Sequence, residues 1–131
     1  MIALCAALIV GSHPGAVMQY QDLIQNTAKR YCIPADLLAS IIWVESFGDS
    51  DARGLFGEVG LLQILPKENE IAPEFFQSWS YSVEELLNPS LNIDYGARRL
   101  AQVFGRTGGW HLTLAYYNCG EVRTDLGTCG P

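Results

Sequence analysis

The chain has 131 residues, 49% of them hydrophobic and 17% charged, which suits one packed domain and excludes wholesale disorder. Asp and Glu number 14 against 8 Lys and Arg, a net charge of −6. No basic block interrupts that balance, so the electrostatic footprint of a nucleic-acid binder is absent and no nucleic-acid partner is expected.

Residues 2–10, IALCAALIV, are all apolar. A membrane helix needs about 20 such residues, so no stable span is expected here. Two readings stand: the apolar region of a secretory signal, though no Lys or Arg follows Met1, or a buried first helix. Residues 1–16 are therefore set apart as an apolar N-terminal segment, a signal remnant on the first reading, and 17–131 as the folded domain.

The pattern beyond is mostly helical. Val17, Tyr20, Leu23, Ile24 and Ala28 give an amphipathic helix over 17–31. Pro34 and Asp36 open a second helix, Pro being tolerated in a first turn and Asp able to cap free amides, and Gly48 stops it. Residues 48–80 form a long irregular stretch, of a length that is usually functional or mobile. Ser82-Val83-Glu84-Glu85 fits a capping box starting a short helix that Pro89 ends. A further helix from Leu91 to Phe104 carries Ile93, Ala97, Leu100, Ala101 and Phe104 inward and closes at Gly105; a last one covers Trp110 to Tyr117. No alternating run argues for a sheet.

The cysteines, Cys5, Cys32, Cys119 and Cys129, form no CxxC pair, and with two histidines in the chain no metal site or other cofactor is expected. Cys119 and Cys129 could close a small loop in an oxidising compartment; four buried thiols are the other reading.

The informative anomaly is Glu45, in the stretch IIWVESFG. Leu38, Ile41, Ile42 and Glu45 fall at i, i+3, i+4 and i+7, which puts a carboxylate on the apolar stripe of a helix, in its last turn. Desolvation and the negative end of the helix dipole both disfavour its charge. An acid that keeps its proton towards neutral pH is what glycosidic cleavage requires. The bland alternative is a last-turn Glu reaching out to solvent or to Arg53. Asp49, Asp51 and Glu58 could each supply a second carboxylate, and spacing singles out none of them. Neither His13 nor His111 lies in a motif that would activate Ser46 as a nucleophile.

Four short motifs occur in order: ES at Glu45-Ser46, GLLQI from Gly60 to Ile64, NPSLNIDYG from Asn88 to Gly96, and YYNCG from Tyr116 to Gly120. Together they resemble the lytic transglycosylase domain of the goose-type lysozyme superfamily, over roughly residues 17–123. That resemblance implies an all-α, lysozyme-like domain with a glycan-binding groove, acting on peptidoglycan strands. It implies Glu45 as the single catalytic acid/base and a substrate-binding set of Ser46, Gly60, Leu61, Leu62, Gln63, Tyr117 and Asn118. In that set Gln63 and the backbone of Gly60 to Leu62 line the groove, Tyr117 helps place the acid, Asn118 contacts substrate or fixes the loop, and Ser46 supports the acid. The side chains of Leu61 and Leu62 are core as well as groove wall, and Gly60 and Gly96 are read as permitting close backbone approach. Trp43 and Trp110 are core residues or sugar-stacking platforms. The implied reaction transfers the Glu45 proton to the oxygen bridging N-acetylmuramic acid and N-acetylglucosamine. The muramyl C6 hydroxyl then closes on C1 to leave a 1,6-anhydro end. A muramidase of the same fold and a non-catalytic glycan-binding or virion module are the alternatives. The implied setting is the periplasm, cell envelope or exterior, or a phage virion, with secretion-system or phage assembly components as further partners. Four departures from the family pattern stand out: Leu62 replaces a usual Met, Ser50 a frequent Pro, and Tyr116 and Cys119 small Ala residues.

Overall fold

A computed structural model describes residues 8, 9, 11–68, 81–119, 122–123 and 128–129. The described residues include the helices α1 Gly15–Met18, α2 Gln21–Tyr31, α3 Ala35–Ser46, α4 Val83–Leu86, α5 Pro89–Thr107 and α6 Trp110–Cys119. Two short strands, β1 Val122–Arg123 and β2 Thr128–Cys129, pair antiparallel, so the all-helical expectation gains one small ribbon.

Several boundaries differ from the sequence expectation, each for a local reason. The expected helix over 17–31 is two helices. Tyr20 leaves helical geometry at φ −102° and ψ 18°, and its N–H returns to Val17 O three residues back. Pro34 stands at the N-cap of α3, with no side-chain cap of its own. Asp36 instead turns its Oδ1 to the Gly11 N–H and to His13 Nε2, both at 2.9 Å, and so ties the preceding segment to α3. Pro89 begins α5 as its first residue, behind the N-cap of Asn88, whose Oδ1 accepts the Leu91 N–H. Gly105 does not close that helix; Gly108, at φ +73°, does. The Ser82–Glu85 capping box forms as expected.

α5 is the centre of the packing, against α2, α4 and α6, while α3 lies on α1 and α2. Its inner stripe, Ile93, Ala97 and Leu100, is fully buried, in one core cluster with Ile24 and Ala28 of α2 and Leu38 and Ile42 of α3. The fourth side of the core is not a helix. Val59, Leu61, Leu62 and Ile64, from the irregular segment after α3, are each fully buried, so that segment is anchored rather than draped over the surface. Burying each such side chain favours folding by about 1.5–3 kcal/mol. Arg30 and Tyr31 of α2 both reach Asp94 of α5, clasping those two helices at the rim. Among the described residues no helix is long and apolar enough to cross a membrane.

Cys32 is disulfide-bonded, which overturns the all-thiol reading at that position; its partner sulfur lies outside the described side chains. The proposed Cys119–Cys129 loop falls there too, as do the side chain of Asn118 and most of the apolar N-terminal segment.

Candidate functional site

The apolar stripe of α3 carries Glu45 to the end of the helix. Leu38, Ile41 and Ile42 are buried and hold the helix down, and Glu45, one turn on, is half-buried at the edge of that stripe. The helix ends at once after it. Phe47 takes a left-handed conformation, φ 55°, and returns its N–H to Trp43 O at 2.9 Å. Gly48 follows at φ +78°, where a Cβ would lie 2.6 Å from Ala16 O, so only glycine fits. Ser46 faces inward: its hydroxyl donates to Ile42 O at 3.0 Å and accepts the Gly48 N–H at 3.3 Å. That placement makes the buried Ser46 side chain a support for the helix end.

The chain then folds a compact irregular hairpin. Isolated bridges join Arg53 to Val59 and Val59 to Ile64, and Gly60 N donates to Ala52 O at 2.9 Å. A tight turn fills the tip, with Gly54 N bonded to Glu58 O and Gly57 N to Gly54 O. A second turn closes Gly60 to Gln63 at 3.1 Å, with Gly60 at φ +78° and Gln63 at φ 50°. A left-handed Gln is uncommon and is strain of the kind that collects at functional sites. Its side chain helps hold the turn: Nε2 donates to Gly60 O at 2.9 Å and to Ala52 O at 3.2 Å.

Asn92 of α5 ties this turn to the core. It is fully buried, its Oδ1 accepts the Leu62 N–H at 2.8 Å, and its Nδ2 donates to Val59 O at 2.8 Å and Leu86 O at 2.9 Å. Gly96, one turn on, lets α5 come close, since a Cβ there would stand 2.4 Å from Leu62 Cδ1. From the other side the Tyr117 hydroxyl of α6 donates to Leu62 O. Both polar groups of the Leu62 backbone are thus fixed by side chains from different helices.

The electrostatics join these pieces. The Glu45 carboxyl is held above the usual Glu range, first by burial and second by the charge of Glu58. The Tyr117 phenol is pushed well above its ordinary value, by burial and then by Glu45, so it is a neutral donor at any physiological pH. Among the described residues no ion pair connects Arg53 to Glu45.

Tyr117 is thus tied to the Leu62 carbonyl by a hydrogen bond and to Glu45 by charge, and the charge of Glu58 also reaches Glu45. Gly60, Leu61 and Leu62 are buried, and Leu61 and Leu62 are 0% exposed, backbone included. Trp43 is partly exposed beside Phe47, and Trp110 packs on Phe104 with centroids 4.3 Å apart. Two residues were not singled out by spacing. Glu58 has a signal in hindsight: Gly54 and Gly57 bracket a tight turn that brings the next residue back over the loop. Asn92 has a weaker signal, a polar residue next to the buried stripe of Ile93, Ala97 and Leu100, within the NPSLNIDYG motif.

Comparison with known proteins follows the same lines. The Transglycosylase SLT domain family matches residues 22–126. The chain is 31% identical over 114 residues, 84% of its length, to the soluble lytic murein transglycosylase of Escherichia coli strain K12, and covers 18% of that protein. It is 34% identical over 79 residues, 59% of its length and 36% of the relative, to the membrane-bound lytic murein transglycosylase E of Buchnera aphidicola. Peptidoglycan transglycosylase gp16 of Escherichia phage T7 is 30% identical over 105 residues, 79% of this chain and 8% of that one. Among solved structures, the lytic transglycosylase Slt of Pseudomonas aeruginosa, an inactive Glu-to-Gln mutant, superposes with a TM-score of 0.65 at 30% identity, over 79% of this chain and 17% of that one. The chain thus spans about a third or less of these relatives' lengths. With the matched segment taking in α2 through α6 and the whole of the loop that carries Gln63, this chain belongs to the Transglycosylase SLT domain family.

Proposed function

We propose that this chain is the catalytic domain, residues 17–131, of a peptidoglycan lytic transglycosylase, with Glu45 as its single acid/base. One observation carries the reading: a half-buried carboxyl at the end of α3, kept towards its protonated form and set beside a neutral phenol. In the proposed reaction Glu45 gives its proton to the oxygen linking N-acetylmuramic acid to N-acetylglucosamine. The muramyl acetamido group supports the positive charge at C1. Glu45, now ionised, removes the proton of the muramyl C6 hydroxyl as that oxygen bonds to C1. The products are a 1,6-anhydromuramyl end and a free N-acetylglucosamine hydroxyl, and no water is consumed. An attacking group in the same molecule favours this closure.

Gln63, the backbone of Gly60 to Leu62, and Asn118 are assigned to the glycan-binding groove, and Tyr117 to placing the acid. That a Glu-to-Gln change gives an inactive mutant in the structural neighbour supports a glutamate in the central role. The setting we propose is the periplasm, the cell envelope or the exterior: a disulfide at Cys32 suits an oxidising compartment. The likeness to a phage protein supports a virion or wall-opening assembly as one such setting.

Mass spectrometry of digested cell wall is the test. Anhydromuramyl ends are expected from the wild-type chain, with Glu45→Gln reducing activity by at least a hundredfold. Plain reducing ends would mean a muramidase instead, a reading to which Glu58 lends its one structural support as a second carboxylate. Full activity in Glu45→Gln would remove the assignment of the acid.

A further inference from the structure

Glu58 and Gln63 meet over Gly54. The Gly54–Gly57 turn folds the Glu58 side chain back, so that its Oε2 accepts the Phe56 N–H at 3.1 Å. A Cβ on Gly54 would lie 1.8 Å from that Oε2 and 2.8 Å from Gln63 Oε1. The carboxylate thus takes the place that a side chain at position 54 would need, and the Gln63 amide oxygen borders it. The orientation of that amide is decided by its neighbours. Nε2 donates to Ala52 O at 3.2 Å and to Gly60 O at 2.9 Å. A carbonyl can only accept, so Oε1 is the atom left facing Gly54. Two acceptors from different parts of the loop are therefore held side by side.

The pair is open to solvent and short of donors. Gly54, Glu58 and Gln63 are each half-buried. Among the described residues the Phe56 N–H is the one hydrogen-bond donor to the Glu58 carboxylate, and Gln63 Oε1 receives none. The two ion pairs among those residues, His13–Asp36 and Arg30–Asp94, do not involve Glu58. A ligand that completes this pair must bring N–H or O–H groups, and a charged donor bonds a carboxylate about twice as strongly as a neutral one. The net charge of −6 also favours the approach of a cation. Two side-chain oxygens are few for a calcium ion, which takes about six to eight, whereas an ammonium group needs only acceptors for its N–H bonds. The sugars of peptidoglycan are neutral donors. Its stem peptides carry a cationic one, the free amine of the diamino acid wherever that residue is not cross-linked.

We propose that Glu58 Oε2 and Gln63 Oε1 form a subsite for an ammonium group, and that its ligand is the free amine of a stem peptide on the peptidoglycan strand. Glu58 is then a specificity residue that favours strands with uncrosslinked peptides, and it takes no part in the chemistry at the glycosidic oxygen. The inference rests on the proposed action on peptidoglycan and on the place of Gln63 in the groove.

The experiment measures initial rates of anhydromuramyl release by the full chain, at low substrate, from three preparations of soluble uncrosslinked strands. One has its stem amines free, one has them acetylated, and one has had its peptides removed by an amidase. The wild type should cleave the free-amine strands about tenfold faster than either of the others, the worth of one charge-assisted contact. In Glu58→Gln that ratio falls towards one. In Gly54→Ala, whose backbone lies outside the left-handed region, a methyl drives Oε2 from its place with no change of charge, and the ratio falls as well. This variant decides the matter if Glu58→Gln does not fold. Glu84→Gln removes the same charge from an exposed position on α4 and keeps the ratio, which separates a local contact from net charge. Equal wild-type rates on free and acetylated strands overturn the proposal. So does rapid cleavage of the peptide-free strands, since acetylation would then obstruct rather than remove a donor. A ratio that survives in the folded variants, or that falls in Glu84→Gln, overturns it too. Glu58→Gln slowing all three preparations alike would place Glu58 against sugar hydroxyls instead. A wild type that releases no anhydromuramyl ends from any preparation fails differently: it removes the proposed function itself.

Discussion

Replacing Asn92 tests whether the site is built as described. Its side chain serves three backbone groups, the Leu62 N–H and the carbonyls of Val59 and Leu86, all within 2.9 Å and sealed from solvent. Asn92→Ala removes those partners together. A buried group left unsatisfied costs about 1–3 kcal/mol, so three imply roughly 3–6 kcal/mol once some relaxation is allowed. Against a typical stability of about 5–15 kcal/mol, that is a large fraction. Urea denaturation followed by circular dichroism measures it, with the shift in midpoint read at constant slope. A second variant separates hydrogen bonding from packing. Asn92→Leu fills the volume but admits no water to the orphaned groups, whereas the alanine cavity can take one. The hydrogen-bond account therefore expects Leu to be no better than Ala. A loss below about 1 kcal/mol in Asn92→Ala, or a leucine variant near wild type, would show that the Gly60–Gln63 turn is held by something else.

Three more outcomes follow. Glu45→Gln should be more stable than wild type near neutrality and equal to it in acid. A carboxyl whose pKa is raised on folding contributes stability that is full below its unfolded value and lost as pH rises through the folded one. The difference should therefore emerge above the ordinary Glu value of 4.5, as thermal melting across pH would show. Tyr117→Phe leaves Leu62 O without its donor, which should cost about 1 kcal/mol in urea melts and a disproportionately larger share of activity on sacculi. Gly60→Ala forces a left-handed residue at φ +78° and brings a methyl to 2.4 Å from Asn92 Nδ2 and 2.9 Å from Leu86 O; a loss of about 2–4 kcal/mol is expected in the same melts.

How much of this was legible in the sequence depended on whether a position's reason was local. The α3 stripe was readable because Leu38, Ile41, Ile42 and Glu45 obey a helical period, and the burial of the first three follows from it. The capping box at Ser82 was readable for the same reason. A glycine does not by itself end a helix. Gly105 has open space on its Cβ side and sits within α5, while Gly108, with a positive φ, ends the helix. Pro89 ends the expected short helix only by starting the next one, because Asn88 before it supplies the cap. The irregular segment after α3 had no period to read. Its order comes from contacts far along the chain, such as Leu62 with Asn92 and Tyr117, which no local rule supplies. Glu58 belongs to this class: its sequence neighbours say loop, and the turn at Gly54–Gly57 folds its carboxylate back onto the Phe56 N–H.

That division has a physical consequence for how the site holds its acid. Glu45 sits on a helix whose position is set by core burial, the most robust force in the fold. Gln63, Glu58 and the Leu62 carbonyl sit on a loop made rigid by a handful of specific hydrogen bonds and close approaches. Acid strength and acid placement therefore have separate origins. Changes in the α3 stripe should move stability and the proton affinity of Glu45 together, because both follow from burial. Changes at Gly54, Gly60 or Asn92 should alter the surroundings of Glu45 while α3 itself stays in place. A loop substitution that lowered activity only in proportion to the folded fraction would contradict that separation, because the loop would then matter only through stability.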